Sequence, residues 1–356
     1  MSQREENLGQ YMARRGISRR TFLKFCTVMG STMALSPAQA AEMAETMAKA
    51  TRQSVIWLSF QECTGCTESI TRSHNPTLES LIFDFISLDY HHTLQAAAGD
   101  AAEHAREEAM KKHKGKYVVV VDGSIPVGEN AHYSTIAGIT NEQMLRDTAR
   151  DCFAIVTVGT CAAFGGIPAA RPNPTGAVAV SDIIKDKPII NVSGCPPMPQ
   201  VMTGTLSHIL TFGAIPELDH LGRPIAFFGE TIHDRCYRRP FYEKGQFAKS
   251  FDDEGARKGW CLYEVGCKGP TTYNACANLK WNGADTFPVQ SGHGCLGCSE
   301  PNFWDQAGGF YAPLSVGDWG SHEVLAGAAV AGAAVGAAAA VAARSRQKSS
   351  KEEKTS

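Results

Sequence analysis

The chain has 356 residues, with 34 Lys and Arg against 36 Asp and Glu, and 43% of it is hydrophobic. At roughly 100 to 200 residues per domain, that length excludes one small core. The near-neutral charge argues against a general nucleic-acid binder, and the composition against a disordered chain or a polytopic membrane protein. The 12 cysteines are too sparse for a disulfide-knit miniprotein and too oddly spaced for ordinary core thiols.

In chain order, Ser18-Arg19-Arg20-Thr21-Phe22-Leu23-Lys24 precedes an apolar stretch, Phe25 to Leu35, and then Ala38-Gln39-Ala40, a small-residue cleavage pattern. Residues 1–40 resemble a twin-arginine export signal; the competing reading is an amphipathic first helix with an incidental arginine pair. Such signals carry proteins already folded, often around a metal cofactor, so thiols bound to metal before export are not free to form disulfides.

From 41 to 215, short apolar runs alternate with polar, helix-compatible stretches: Val55 to Leu58, Leu81 to Ile86, Val118 to Val121, Ala154 to Val158 and Ile189 to Val192. This pattern predicts an α/β fold, a doubly wound parallel sheet wrapped by helices. Four of the runs end in chemistry-bearing turns, namely Glu62-Cys63-Thr64-Gly65-Cys66, Asp122-Gly123-Ser124, Gly159-Thr160-Cys161 and Gly194-Cys195-Pro196-Pro197. Ligands bind at the carboxyl ends of such strands, so Cys63, Cys66, Cys161 and Cys195 are expected to converge on one rim. The charged stretch Ala101 to Lys116, with His104 and His113, reads as a solvated helix face, and Cys152 as a buried structural thiol.

From 216 to 318 the chain turns rich in Gly, Pro, aromatic residues and Cys, and bound metal is the expected organiser of this smaller, irregular domain. Val324 to Ala343 is uncharged and long enough as a helix to cross roughly 30 Å of hydrocarbon, which predicts a transmembrane anchor, or else an Ala-rich soluble helix. The basic tail 344–356 would then stay in the cytoplasm and the body outside.

Ligand arithmetic carries the reading further. Cys63-x-x-Cys66 alone suits zinc, a redox dithiol or an iron-sulfur site; joined by Cys161 and Cys195 it makes a four-thiolate set of the kind that holds a [4Fe-4S] cubane. His233, Cys236, Cys261 and Cys267 form a three-thiolate, one-imidazole set that suits zinc or a cluster. Cys276, Cys295 and Cys298 lack a fourth cysteine, which suits a [3Fe-4S] cluster, and Pro288 lies where a fourth ligand would otherwise be found. Arg235, Arg238 and Arg239 beside His233 form either a docking patch or a solvated turn.

The motifs Glu62-Cys-Thr-Gly-Cys-Thr-Glu68, Gly159-Thr-Cys-Ala-Ala-Phe-Gly-Gly166, Gly194-Cys-Pro-Pro197, His233-Asp-Arg-Cys236, Trp260-Cys-Leu-Tyr263, Gly266-Cys-Lys-Gly-Pro270 and Gly294-Cys-Leu-Gly-Cys298 resemble, in content and order, the small subunit of membrane-bound, periplasm-facing [NiFe] hydrogenases. The resemblance covers nearly the whole chain. It implies a flavodoxin-like first domain and a proximal [4Fe-4S] cluster on Cys63, Cys66, Cys161 and Cys195. It further implies a medial [3Fe-4S] cluster on Cys276, Cys295 and Cys298, and a distal [4Fe-4S] cluster on His233, Cys236, Cys261 and Cys267. Gly65 and Gly166 stand where oxygen-tolerant relatives carry extra cysteines, which implies an ordinary cubane and oxygen sensitivity.

By the same resemblance the nickel-iron centre belongs to a large-subunit partner, and this chain contributes no catalytic side chain. Electrons would leave to a cytochrome b or another quinone-linked membrane subunit. Two other classes compete: a one-cluster quinone-oxidoreductase subunit, which leaves the C-terminal ligand residues idle, and a zinc-structured binding protein, which does not explain three consecutive sites.

Overall fold

The computed structural model describes residues 7–14, 16, 18–32, 36–49, 52–74, 76–82, 86–305 and 309–314. β-Branched runs fit a pleated surface buried on both faces, and they form β1 (Gln53–Ser59), β2 (Ile86–His91), β3 (Val118–Asp122), β4 (Ala154–Val158) and β5 (Ile189–Val192). The strands are all parallel, in the order β2-β1-β3-β4-β5. That order is flavodoxin-like, with its switch point between β1 and β3.

Four runs become strands where the apolar sequence puts them, and the second requires correction. Of the described residues in Leu81 to Ile86, only Ile86 belongs to β2, which starts opposite Gln53 and continues through Ser87 and Asp89. An edge strand needs no continuous apolar run, and Leu81 is spent instead on the interior beneath the sheet, where it is 1% exposed.

Alternate residues feed two cores, as the period of a strand requires. Val55, Trp57, Val118 and Val120 face one core with Val201 and Leu206, and Ile56, Leu58, Val119 and Val121 face the other with Met144 and Leu145. Helices α1 (Leu8–Arg14), α2 (Arg19–Thr32) and α3 (Pro37–Lys49) bring Met12, Phe22, Cys26 and Ala44 into the first core, and Ala38-Gln39-Ala40 lies within α3. The rim is served by α4 (Gly65–Thr71), which opens inside the first cysteine pair. The charged stretch forms α5 (Asp100–Lys112), with His104 exposed and His113 capping its end. Cys152 is buried just before β4, as a structural thiol should be.

Among the described residues after Pro216 the regular structure is short helices, turns and isolated β-bridges, and the third core is small: Ile232, Ala248, Leu262, Val265, Phe287 and Val289 surround Cys267, with Cys236, Cys276 and Cys295 packed against them. A buried cation binds this half together. Arg223, 1% exposed, pairs with Asp219 at 2.8 Å and with Glu300 at 2.9 Å, between the rings of Phe228 and Tyr273. The change near Pro216 is thus a change in what fills the interior, since the chain through Pro313 packs as one compact unit. Among the described residues no helix is long and apolar enough to cross a membrane; the expected anchor 324–343 and tail 344–356 lie outside them.

Candidate metal centres

At the switch point the turn after β1 carries Cys63 and Cys66, with Thr64 in the left-handed region at φ 65 so that α4 can begin at Gly65. The turns after β4 and β5 deliver Cys161 and Cys195. Gly159 shows how tightly the rim is drawn: a Cβ there would stand 2.5 Å from Cys66 Sγ. The Thr160 amide donates to the Gly194 carbonyl at 2.9 Å, and the Gly194 amide donates back to Thr160 Oγ1 at 2.9 Å. Those bonds lock the Cys161 and Cys195 loops to each other.

The electrostatics of this group are those of thiols that cannot ionise together. Burial pushes Cys66 well up, with Asp122, Cys161 and Cys195 adding to the effect through their negative charge. Burial likewise lifts Cys161 to about 11 and Cys195 to about 12. Asp122, buried and with neither carboxylate oxygen in a fully formed hydrogen bond, is raised to about 7 by burial and by Glu62. Four thiolates here need a multiply charged cationic group between them, and its binding would release protons.

Cys276, Cys295 and Cys298 line a cavity of about 320 Å³ together with Cys195, Trp281 and Pro288. Burial first, and then the negative charge of Cys298, lifts Cys276 to about 12, and burial is likewise the main cause that raises Cys295 and Cys298. The cavity touches the rim group through Cys195, and Thr160 Oγ1 donates to the Cys298 carbonyl at 2.5 Å.

His233, Cys236, Cys261 and Cys267 line a further pocket with Leu262 and Tyr263. Burial and then Arg239 hold the His233 imidazole below its ordinary pKa, so it is neutral and able to coordinate. Burial lifts Cys261 to about 11, and Cys236 Sγ accepts the Arg238 amide at 3.4 Å. The stretch Phe310–Ala312 straps across the back of this pocket. Gly266, at φ +97, permits the crossing, since a Cβ there would stand 2.5 Å from Tyr311 Cα, and buried Lys268 Nζ donates to the Ala312 carbonyl at 2.5 Å.

Every ligand residue expected from the sequence therefore falls into one of three groups. Among the described residues no three His, Cys, Asp or Glu side chains form a site for a single ion. Of the three arginines, only Arg238 departs from both the docking-patch and the solvated-turn readings. Arg238 is buried and donates to the Trp260 carbonyl and Tyr237 Oη, both at 2.7 Å, while Arg235 pairs with Glu230 and Arg239 with Glu243. Spacing alone did not reveal Asp122, Thr160 or Lys268, because each acts across the fold; the only hint was their position beside a cysteine-bearing turn.

Two family models match the chain: the NADH ubiquinone oxidoreductase 20 Kd subunit over residues 63–209, and the C-terminal region of the NiFe/NiFeSe hydrogenase small subunit over 228–311. The one-cluster quinone-oxidoreductase reading thus accounts for the sheet half alone. The uptake hydrogenase small subunit of Azotobacter vinelandii is 50% identical over 312 residues, 88% of this chain and 87% of that protein. The hydrogenase-1 small chain of Escherichia coli K12 is 44% identical over 318 residues, 89% of this chain and 86% of that one. The reduced, active Ni-Fe-Se hydrogenase structure from Desulfomicrobium baculatum aligns at a TM-score of 0.69 and 37% identity, over 74% of this chain and 100% of that one. With half its residues shared across most of its length, the chain belongs to the NiFe hydrogenase small-subunit family, the electron-transfer partner in a hydrogenase heterodimer.

Proposed function

We propose that this chain relays electrons from H2 oxidation on the large subunit, through a proximal [4Fe-4S], a medial [3Fe-4S] and a distal [4Fe-4S] cluster, to a cytochrome b or another quinone-linked membrane subunit. The ligands are Cys63, Cys66, Cys161 and Cys195; Cys276, Cys295 and Cys298; and His233, Cys236, Cys261 and Cys267. The observation that carries this reading is the continuity of the three groups: Cys195 of the first lines the cavity of the second, and Cys267 of the third packs in one core with Cys276 and Cys295 of the second. When bound, the clusters supply one-electron redox chemistry. The protein's own part is to hold thiolates at fixed spacing, exclude water through burial, and bring successive ligand loops into contact. Gly65 and Gly166, whose Cβ atoms would stand 3.1 Å from Cys63 Sγ and 2.7 Å from Cys161 Sγ, leave the proximal set at four thiolates and support oxygen sensitivity.

The domain reading is part of the proposal: residues 1–40 as a twin-arginine signal, 41–215 as the flavodoxin-like domain, 216–318 as the cluster domain, 324–343 as anchor and 344–356 as cytoplasmic tail. The body would then lie on the periplasmic face of the membrane. Iron and acid-labile sulfide should be found in the purified heterodimer in the amounts three clusters need, and zinc in their place would overturn the reading. Arg19→Lys with Arg20→Lys should leave precursor and large subunit in the cytoplasm; normal periplasmic activity would refute the export assignment.

A further inference from the structure

The three groups are joined by more than proximity. At the junction between the second and third, the Cys295 amide donates to Cys267 Sγ at 3.3 Å, and the Lys268 amide donates to the Cys295 carbonyl at 2.7 Å. The two ligand loops therefore cross as a short hydrogen-bonded pair. Gly294 makes the crossing possible: a Cβ there would stand 2.9 Å from Cys267 Cα and 3.0 Å from Cys267 Cβ, and its backbone is not in the left-handed region, so only space is at stake. At the junction between the first and second groups the loops are tied by side chains instead: Thr160 and Ser193 donate to the carbonyls of Cys298, at 2.5 Å, and Ser299, at 2.8 Å.

Resting on the relay reading above, we propose that the medial–distal junction is bridged by a direct bond from the backbone amide of one site's ligand cysteine, Cys295, to the ligand sulfur of the next, Cys267, with Gly294 as the positioning residue for this bridge and Thr160 holding the proximal and medial loops together by side-chain bonds only. An amide hydrogen-bonded to a ligand sulfur draws electron density from that sulfur and links two ligand sets without intervening water. One electron leaves the reduced medial cluster, which is thereby oxidised, and enters the oxidised distal cluster, which is reduced. No covalent bond forms or breaks and no proton moves.

Gly294→Ala forces the medial and distal loops apart, whereas Thr160→Val removes the side-chain ties at the proximal–medial junction only. Each variant should be purified as the heterodimer and its iron and sulfide measured, since a wild-type protein lacking clusters would defeat the relay reading rather than the bridge. With clusters intact, Gly294→Ala should weaken the magnetic interaction between medial and distal clusters in EPR and slow electron transfer between them severalfold. The proximal–medial interaction should stay as in wild type, and Thr160→Val should show the reverse pattern. Unchanged coupling and rates in both loaded variants would overturn the proposal. Should Gly294→Ala fail to hold its clusters, pulsed EPR of the wild type carrying 15N at the Cys295 amide decides: coupling of that nitrogen to the reduced distal cluster supports the bridge, and its absence overturns it.

Discussion

In the sheet half, the cysteines sit on turns at the rim of two large cores built mainly from valine, isoleucine and leucine on both faces, the first of which takes in Cys66 at its edge. After Pro216 the cysteines are the interior: the third core has few apolar members and counts Cys267 among them. Both halves present thiols to inorganic groups, but only the first would keep its shape on losing them. Apolar burial organises one and ligation the other, because a chain this poor in regular structure cannot offset its conformational entropy by area alone.

The largest test withholds iron. In apo protein, residues 53–212 should keep their protection against limited proteolysis, while the stretch from 216 to 305 should be cut throughout; equal protection of both halves would erase the contrast. Next comes Arg223→Met, which strands Asp219 and Glu300 without their cation and should cost about 3–5 kcal/mol in urea unfolding of the loaded protein. A loss near zero would mean that ligation alone organises the second half.

A smaller effect belongs to the sheet half and to pH. Burial, helped by His92, pushes His91 down to about 4, and its Nδ1 accepts the amides of Thr93 and Leu94. A depressed histidine contributes stability that is fully present above its unfolded pKa of about 6.5 and is lost as pH falls toward 4, a difference of about 3 kcal/mol. Unfolding measured from pH 7 to 4 should show that slope, and His91→Gln should flatten it. Gly159→Ala, at φ +94 and against Cys66 Sγ, should cost about 1–3 kcal/mol while damaging the proximal site. Pro288→Cys should leave stability nearly unchanged, yet it places a thiol in the wall of the medial cavity. Capture of a fourth iron should lower that cluster's potential, and an unaltered oxidised [3Fe-4S] EPR signal would count against the assignment.

What could be read in the sequence follows the same divide. Strands β1, β3, β4 and β5 were legible because a parallel strand buried on both faces must be an unbroken run such as Val118 to Val121. The edge strand β2 was not, since Ser87 and Asp89 interrupt its apolar pattern. The cysteines that line the shared cavities were legible because thiolate chemistry admits few substitutes for cysteine. Asp122 was not, because an aspartate ending a strand looks like any turn residue until the fold sets it against Cys66. Arg238 misled for the same reason: only tertiary structure reveals that its charge is spent on the Trp260 carbonyl.

The strap over the distal pocket makes the fold sensitive to force. A pull on the chain at Ala312 is borne by the Lys268 ammonium, one residue from Cys267, and by the close crossing of Tyr311 over Gly266. Load applied at the carboxyl-terminal end of the described body is thus carried into the loop that holds buried Cys267. Tension there would be felt at Cys267 before it reached any strand of the sheet.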